Sequence, residues 1–312
     1  MSKTVAISSC WSSARHKDGY EMVREFVEMG FTQLELSHGV RMSLVPGILK
    51  AVEEGMIEIC SVHNFCPLPP GIHYPAPNLY QPSSGDRREQ EQWLRYTRQT
   101  MEFANRLGAR KIVLHLGSIS FFWRSPAIRL RRFVRAQGNE FDKSDAAYQQ
   151  LREKIQKKLE RKLLGSWEHT LQALETILPE AEKEDLYFCC ENRESFEELP
   201  LDNQFSDLFT HFSGQKNLLA WHDTGHAKIK EKYGFLDHEN HLKFVRPRLG
   251  GFHLHDVSAN GKDHQPIGSG EIDFKMLARY FQPEDALVLE LSPGLDKEEV
   301  LASKKAIESL LD

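Results

Sequence analysis

Short apolar runs alternate along this chain with longer stretches in which apolar residues recur every three or four positions. Eight runs read as β-strands: 4–8, 33–36, 57–62, 111–116, 186–190, 218–222, 251–255 and 287–291. Helical periodicity fills the intervals at 20–29, 89–107, 147–164, 166–184, 204–212, 272–281 and 298–311, with a shorter helix at 43–52. Asp18, Asp273 and Asp296 stand where helix N-caps belong. Strands separated by helices must run parallel, and eight such units in one chain fit a closed α/β barrel, (β/α)8, better than the alternative of an open doubly wound sheet. No Gly/Ser-rich or charged linker interrupts the series, so residues 1–312 are expected to form one barrel domain.

Two segments exceed what a minimal barrel needs. Residues 66–82 hold six of the fourteen prolines and predict a stiff loop between strand three and its helix, lying over the barrel mouth as a partial lid. After strand four comes an insert at approximately 118–165, with Arg124, Arg129, Arg131, Arg132 and Arg135 followed by a Lys-rich helix.

Composition narrows the class further. The chain has 312 residues, 40% hydrophobic and 27% charged, with a formal net charge of −5. No stretch approaches the ~18 apolar residues of a membrane span, and slight acidity gives no overall attraction to nucleic acid, although a local basic patch remains open. Cys10, Cys60, Cys66, Cys189 and Cys190 form no CxxC pair, and MSKTVAISSC lacks the apolar core of a signal peptide, so the thiols are expected to be reduced and the location cytoplasmic.

The chemistry concentrates at the strand ends. In such barrels the working residues sit on loops leaving the C-terminal ends of the strands. Here those ends carry Glu35, His63, His115, Glu191, His222 with Asp223 and His226, His253 with His255 and Asp256, and Glu290. The densest stretch is 250–274, GGFHLHDVSANGKDHQPIGSGEIDF, where period-two alternation puts His253 and His255 on one face. One imidazole alone would read as a hydrogen-bonded core histidine. A near-unbroken ring of imidazoles and carboxylates points instead to one shared divalent metal ion: Mn, Zn, Co, Fe or Mg, among which a site without Cys does not choose.

Seven pieces, SVHNF (61–65), VLHLG (113–117), CCENR (189–193), HDTGH (222–226), FHLHD (252–256), HQPIGSGEIDF (264–274) and VLELSPG (288–294), resemble in order the xylose isomerase-like TIM barrel superfamily of sugar epimerases, inosose dehydratases and endonuclease IV. The resemblance implies a metal held by Glu191, Asp223, His253 and Glu290. It further implies catalysis by Glu191 and Glu290 as an acid/base pair assisted by His226, with His63 contacting substrate; His115, His264 and Lys262 are expected to contact substrate as well, and Glu35 either to anchor a loop or to touch substrate. The implied activity is isomerisation or epimerisation of a sugar, polyol or sugar phosphate by proton transfer through an enediolate that the metal stabilises. Alternatives within the superfamily are a dehydratase or lyase, and an endonuclease IV-like zinc phosphodiesterase acting on abasic DNA. For the nuclease one ligand is missing, because Lys262 stands where the motif has Asp and a charged ammonium cannot bind zinc.

Other residues carry weaker expectations. His255 and Asp256 are read as supporting the metal ligands, with Asp256 accepting the free N–H of a ligand imidazole. His38, His73, His169, His211, His238 and His241 read as solvated or structural, and Gly268 and Gly270 as a tight turn without a nucleotide-binding context. The arginine block reads as a solvated helix face or a subunit contact, which keeps a homo-oligomer open, ahead of phosphate binding. The expected partner is a small carbohydrate, with no nucleic acid and no membrane.

Overall fold

A computed structural model describes residues 4–121, 125–137 and 142–311. Strands β1 (Val5–Ser8), β2 (Gln33–Leu36), β3 (Glu58–His63), β4 (Lys111–Leu114), β5 (Tyr187–Glu191), β6 (Leu218–Asp223), β7 (Leu249–Leu254) and β8 (Ala286–Leu289) pair in chain order, all parallel. Pairing of Ala6 with Val288 closes the sheet into a barrel. The expected fold is therefore observed, with strand boundaries displaced by one or two residues.

Alternation sorts the side chains into two packed layers. Ala6, Val113, Cys189, Trp221 and Val288 cluster inside the barrel, while Phe188, Cys190, Phe252 and Leu254 point outward into the larger core beneath the helices. Gly251 makes room for the interior Trp221, since a Cβ on it would fall 2.6 Å from the indole ring. Because Cys189, Trp221 and Val288 face inward, the residues two positions on, Glu191, Asp223 and Glu290, face inward as well, one layer nearer the C-terminal mouth.

The outer helices are α1 (Gly19–Glu28), α2 (Val45–Glu53), α3 (Arg87–Arg106), α4 (Ala127–Gln137), α5 (Ala146–Lys183), α6 (Gln204–His211), α7 (Thr224–Lys232), α8 (His238–Val245), α9 (Phe274–Ala278) and α10 (Lys297–Glu308). Asp18, Asp273 and Asp296 cap α1, α9 and α10 through their side chains, each cap contributing about 1 kcal/mol. Three helical expectations change. The two helices expected on either side of Gly165 are one 38-residue helix, α5. A mid-helix glycine costs only about 1 kcal/mol relative to alanine, which the surrounding helix formers outweigh. The helix expected at 272–281 shortens to α9, and α7 and α8 fill the β6–β7 connection, where none was anticipated. No helix among the described residues is long and apolar enough to cross a membrane.

Candidate metal centre

Asp223 shows how the fold aims these residues. It ends β6 and caps α7, its Oδ1 accepting the His226 backbone N–H at 2.7 Å, which leaves Oδ2 facing the barrel axis, where His255 Nε2 lies 3.0 Å away. Glu191 ends β5, and Glu290 follows β8. Between them His253 Nδ1 stands 2.8 Å from Glu191 Oε1, 3.0 Å from Glu290 Oε2 and 3.8 Å from Asp223 Oδ2. One donor atom from each of Glu191, Asp223, His253 and Glu290 lies within 4.8 Å of all the others, and all four residues are buried. Metal–ligand bonds of ~2.0–2.3 Å can span such a group.

Electrostatics fit a cation here. Burial works to raise the Glu191 carboxyl, but the Arg193 guanidinium and hydrogen bonds from His115 and His253 outweigh it and hold Glu191 well below the ordinary range. Burial also opposes ionisation of Glu290, yet the neighbouring His253 and His264 keep it well below as well. For His253 burial favours the neutral ring, and the charges of Glu290 and Glu35 reverse that and raise it well above its usual value. With three carboxylates and an imidazole, and no thiolate, the donors suit a hard or borderline divalent ion.

Two further groups adjoin the first. His115 Nε2 is 2.8 Å and His63 Nε2 3.9 Å from Glu191 Oε2, so His63, His115 and Glu191 form a second donor group that shares Glu191. A third comprises His255, His264 and Glu290. Asp263 belongs to none of the three: its Oδ2 pairs with His264 Nδ1 at 3.2 Å. His226 sits 3.5 Å from Asp223 and 3.8 Å from Glu191 through Nδ1.

A cavity of about 340 Å³ opens beside Glu290 and His264. Lys262, exposed, lines it together with His38, Arg41 and Cys10, and the proline-rich loop contributes His73 and Pro75. The same loop reaches the centre through Asn78, whose side chain bonds His115 Nδ1 at 3.1 Å and Glu198 at 2.9 Å.

Some expected roles need correction. Glu35, expected either to anchor a loop or to touch substrate, is completely buried, accepting from Ser61 Oγ at 2.7 Å and lying 3.0 Å from His253 Nε2, so it anchors an imidazole rather than a loop. Asp256 supports no imidazole: its carboxylate accepts four backbone N–H groups, from Val257, Gly268, Gly270 and Ile272, at 2.8–3.1 Å. That arrangement holds the loop carrying His264. His222 points out of the barrel to His238, their Nε2 atoms 2.9 Å apart, as its place between inward-facing Trp221 and Asp223 requires. His238 and His241 are buried beside it, and exposed His211 pairs with Glu175.

The sequence reading set His38 aside as solvated or structural and passed over Arg193. His38, at the tip of β2, packs edge-on against His63 with ring centroids 4.7 Å apart, and its buried Nδ1 has no hydrogen-bond partner among the described residues. Burial, then the positive His115, pushes its pKa down to about 4, so it is neutral at pH 7. Arg193, almost buried, sets its guanidinium against Glu191 and lies 3.6 Å from Glu198. Both could have been found by extending the strand-tip rule two or three residues into the loop, and a cation beside so many buried carboxylates is electrostatically required.

A family model described as xylose isomerase-like TIM barrel matches residues 23–310. The chain belongs to that family. Its barrel superposes on a D-tagatose 3-epimerase-like protein with TM-score 0.67 at 16% identity, covering 99% of this chain and 97% of the other. For the D-psicose 3-epimerase of Clostridium cellulolyticum H10 the TM-score is 0.68 at 14% identity, with 99% of both chains covered. For the 3-keto-D-glucoside 4-epimerase of E. coli it is 0.66 at 15% identity, with 98% and 99% covered. No curated protein matches the chain.

Proposed function

We propose that this protein is a divalent-metal-dependent isomerase or epimerase of a sugar or a close derivative. The observation that carries the reading is the buried group of Glu191, Asp223, His253 and Glu290, with all four donors inside 4.8 Å, at the edge of a cavity of about 340 Å³. That volume falls in the ~300–1,000 Å³ range of small-molecule sites. Sugar epimerases among the solved neighbours support the substrate class.

A divalent ion on these four residues would polarise a substrate oxygen and make the adjacent C–H more acidic. The chain's own groups do the rest. Glu191 and Glu290 flank His253 Nδ1 and are both ionised at neutral pH, so either can accept a proton from the substrate carbon, and the other, after taking up a proton from solvent, can return one to that carbon. Arg193 and His115 steady Glu191, and His264 steadies Glu290. His38 and Lys262 line the cavity and offer hydrogen bonds to hydroxyls, His226 stands beside Asp223 and Glu191, and the loop bearing His73 forms part of the cavity wall.

The test combines metal analysis of the purified protein with solvent-deuterium incorporation into a panel of ketoses and aldoses. One bound divalent ion per chain and exchange at a carbon next to the carbonyl are expected; absence of both would remove the reading.

The group His63, His115 and Glu191 favours a second reading, a multi-zinc phosphodiesterase, because a second ion there would share Glu191 with the first. Lys262 and the Asp263–His264 pair weigh against a full third zinc site. Two or three zinc ions per chain together with incision of abasic duplex DNA would select this alternative.

A further inference from the structure

A second cavity, of about 330 Å³, lies between α4, the segment following β5, the end of α7 and the turn at 259–261. Its walls carry Arg131, Arg135 and Lys232. Against these three cations stands one carboxylate, Glu194, which leaves a surplus of two positive charges. None of the metal-centre donors lines this cavity, although in sequence Ser195 is four residues beyond Glu191 and Gly261 three before His264.

The cations are prepared for a ligand to different degrees. Arg131 is oriented, donating from Nη2 to Ser195 Oγ at 3.0 Å with its guanidinium 5.7 Å from the Phe196 ring centre. This bond uses one of five N–H donors and leaves a fork free. Lys232 is tied to the Ala259 carbonyl, with Glu271 3.7 Å away, so its charge is partly met. Arg135 makes no hydrogen bond or ion pair among the described residues. Arg129 and Arg132, exposed on the same helix, do not line the cavity, and Arg124 lies outside the described residues. Arg135 is exposed too, so what sets it apart from Arg129 and Arg132 is its place in the cavity wall beside half-buried Arg131.

We propose that this cavity is a binding site for a phosphate monoester, carried either by the sugar substrate or by a separate small molecule. With Lys232 partly met by Glu271, Arg131 and Arg135 carry most of the positive surplus, which has the sign a phosphate monoester needs, and arginine forks suit its oxygens. A cavity of this size encloses a small molecule; a nucleic acid backbone would need an open groove joining all the arginines. The site stands independently of the isomerase reading, since binding requires no turnover.

The experiment is calorimetric titration of the purified chain with inorganic phosphate, fructose 6-phosphate and fructose, repeated for Arg135→Ser and for the double variant Arg129→Ser/Arg132→Ser. Saturable phosphate binding is expected that weakens about 10–100-fold in Arg135→Ser, the loss typical of a charged hydrogen bond, and is unchanged in the double variant. Fructose 6-phosphate binding much more tightly than either fructose or phosphate assigns the group to the substrate, and equal affinity for phosphate and fructose 6-phosphate assigns it to a separate ligand. The proposal is overturned by no saturable binding below about 10 mM, or by equal losses in both variants, which would mark a diffuse basic surface or phosphate held at the metal.

Discussion

Glu35 and His253, at the tips of strands on opposite sides of the barrel, meet in its interior: both carboxylate oxygens of Glu35 lie 3.0–3.1 Å from Nε2 of the imidazole. This contact determines which nitrogen of His253 faces the other three donors. With Nε2–H donated to Glu35, Nδ1, the atom surrounded by Glu191, Glu290 and Asp223, is the nitrogen whose proton a bound metal would displace. Ser61 fixes Glu35 in turn.

Loss of this support should weaken metal binding without removing a ligand. Glu35→Gln keeps the shape but gives up the charge that favours the oriented N–H, and a 10–100-fold lower metal affinity is expected, the usual cost of losing a carboxylate behind a ligand histidine. Chelator competition measures it. Affinity within twofold of the parent would show that Glu35 does not set the tautomer.

Gly225 performs a comparable service for Asp223. A Cβ at this position would fall 2.1 Å from Cε1 of His255, the ring whose Nε2 holds Asp223 Oδ2. Gly225→Ala gains up to about 1 kcal/mol of helix propensity in α7 but loses about 1–3 kcal/mol to overpacking. The expected outcome is a net lower Tm together with weaker metal binding. A raised Tm with metal affinity intact would show that His255 moves aside freely.

These two contacts mark the limit of what the sequence discloses. Strands were legible because buried parallel strands are apolar runs, and the inward ring of donors was legible because period-two alternation continues to each strand tip. The same alternation places His222 outside, between Trp221 and Asp223, so that information was present and unused. Glu35 is different: its partner is 218 positions away, and whether a tip carboxylate meets substrate or a neighbouring imidazole depends on how side chains from two distant strands meet across the barrel. Asp256 likewise found its partners in backbone N–H groups of a loop whose path no side-chain pattern records. Continuity of α5 through Gly165 was hidden because propensity at one residue is weaker than the packing and helix formers around it.

Glu290 should separate binding from proton transfer. It lies 3.0 Å from His253 Nδ1 and 3.7 Å from His264 Nε2, and Glu290→Gln retains an oxygen for these contacts while abolishing the base. Solvent-deuterium incorporation at the substrate carbon should slow by about 10²–10⁴-fold, the range for a lost general acid or base, with the fold preserved by circular dichroism. Unchanged incorporation would take Glu290 out of the reaction.

The histidines behind the barrel predict how stability responds to acid. Burial pushes His238 and His241 down from 6.5 to about 4, and His222 is held well below its usual value by burial and by those two neighbours. The folded state therefore binds fewer protons than the unfolded chain between these values. Stability from these groups is fully present above about pH 6.5, declines as pH falls toward 4, and declines no further once the folded groups protonate. His241 packs 5.3 Å from Phe205 and 5.7 Å from His222, a setting of rings in which a phenyl can take its place. In urea unfolding at pH 7 and pH 4.5, His241→Phe should lose less stability between the two than the parent, by an amount on the order of 2–3 kcal/mol for one such group. Equal losses in the two proteins would mean that His241 is already protonated in the folded state, or solvated, and that the acid sensitivity resides elsewhere.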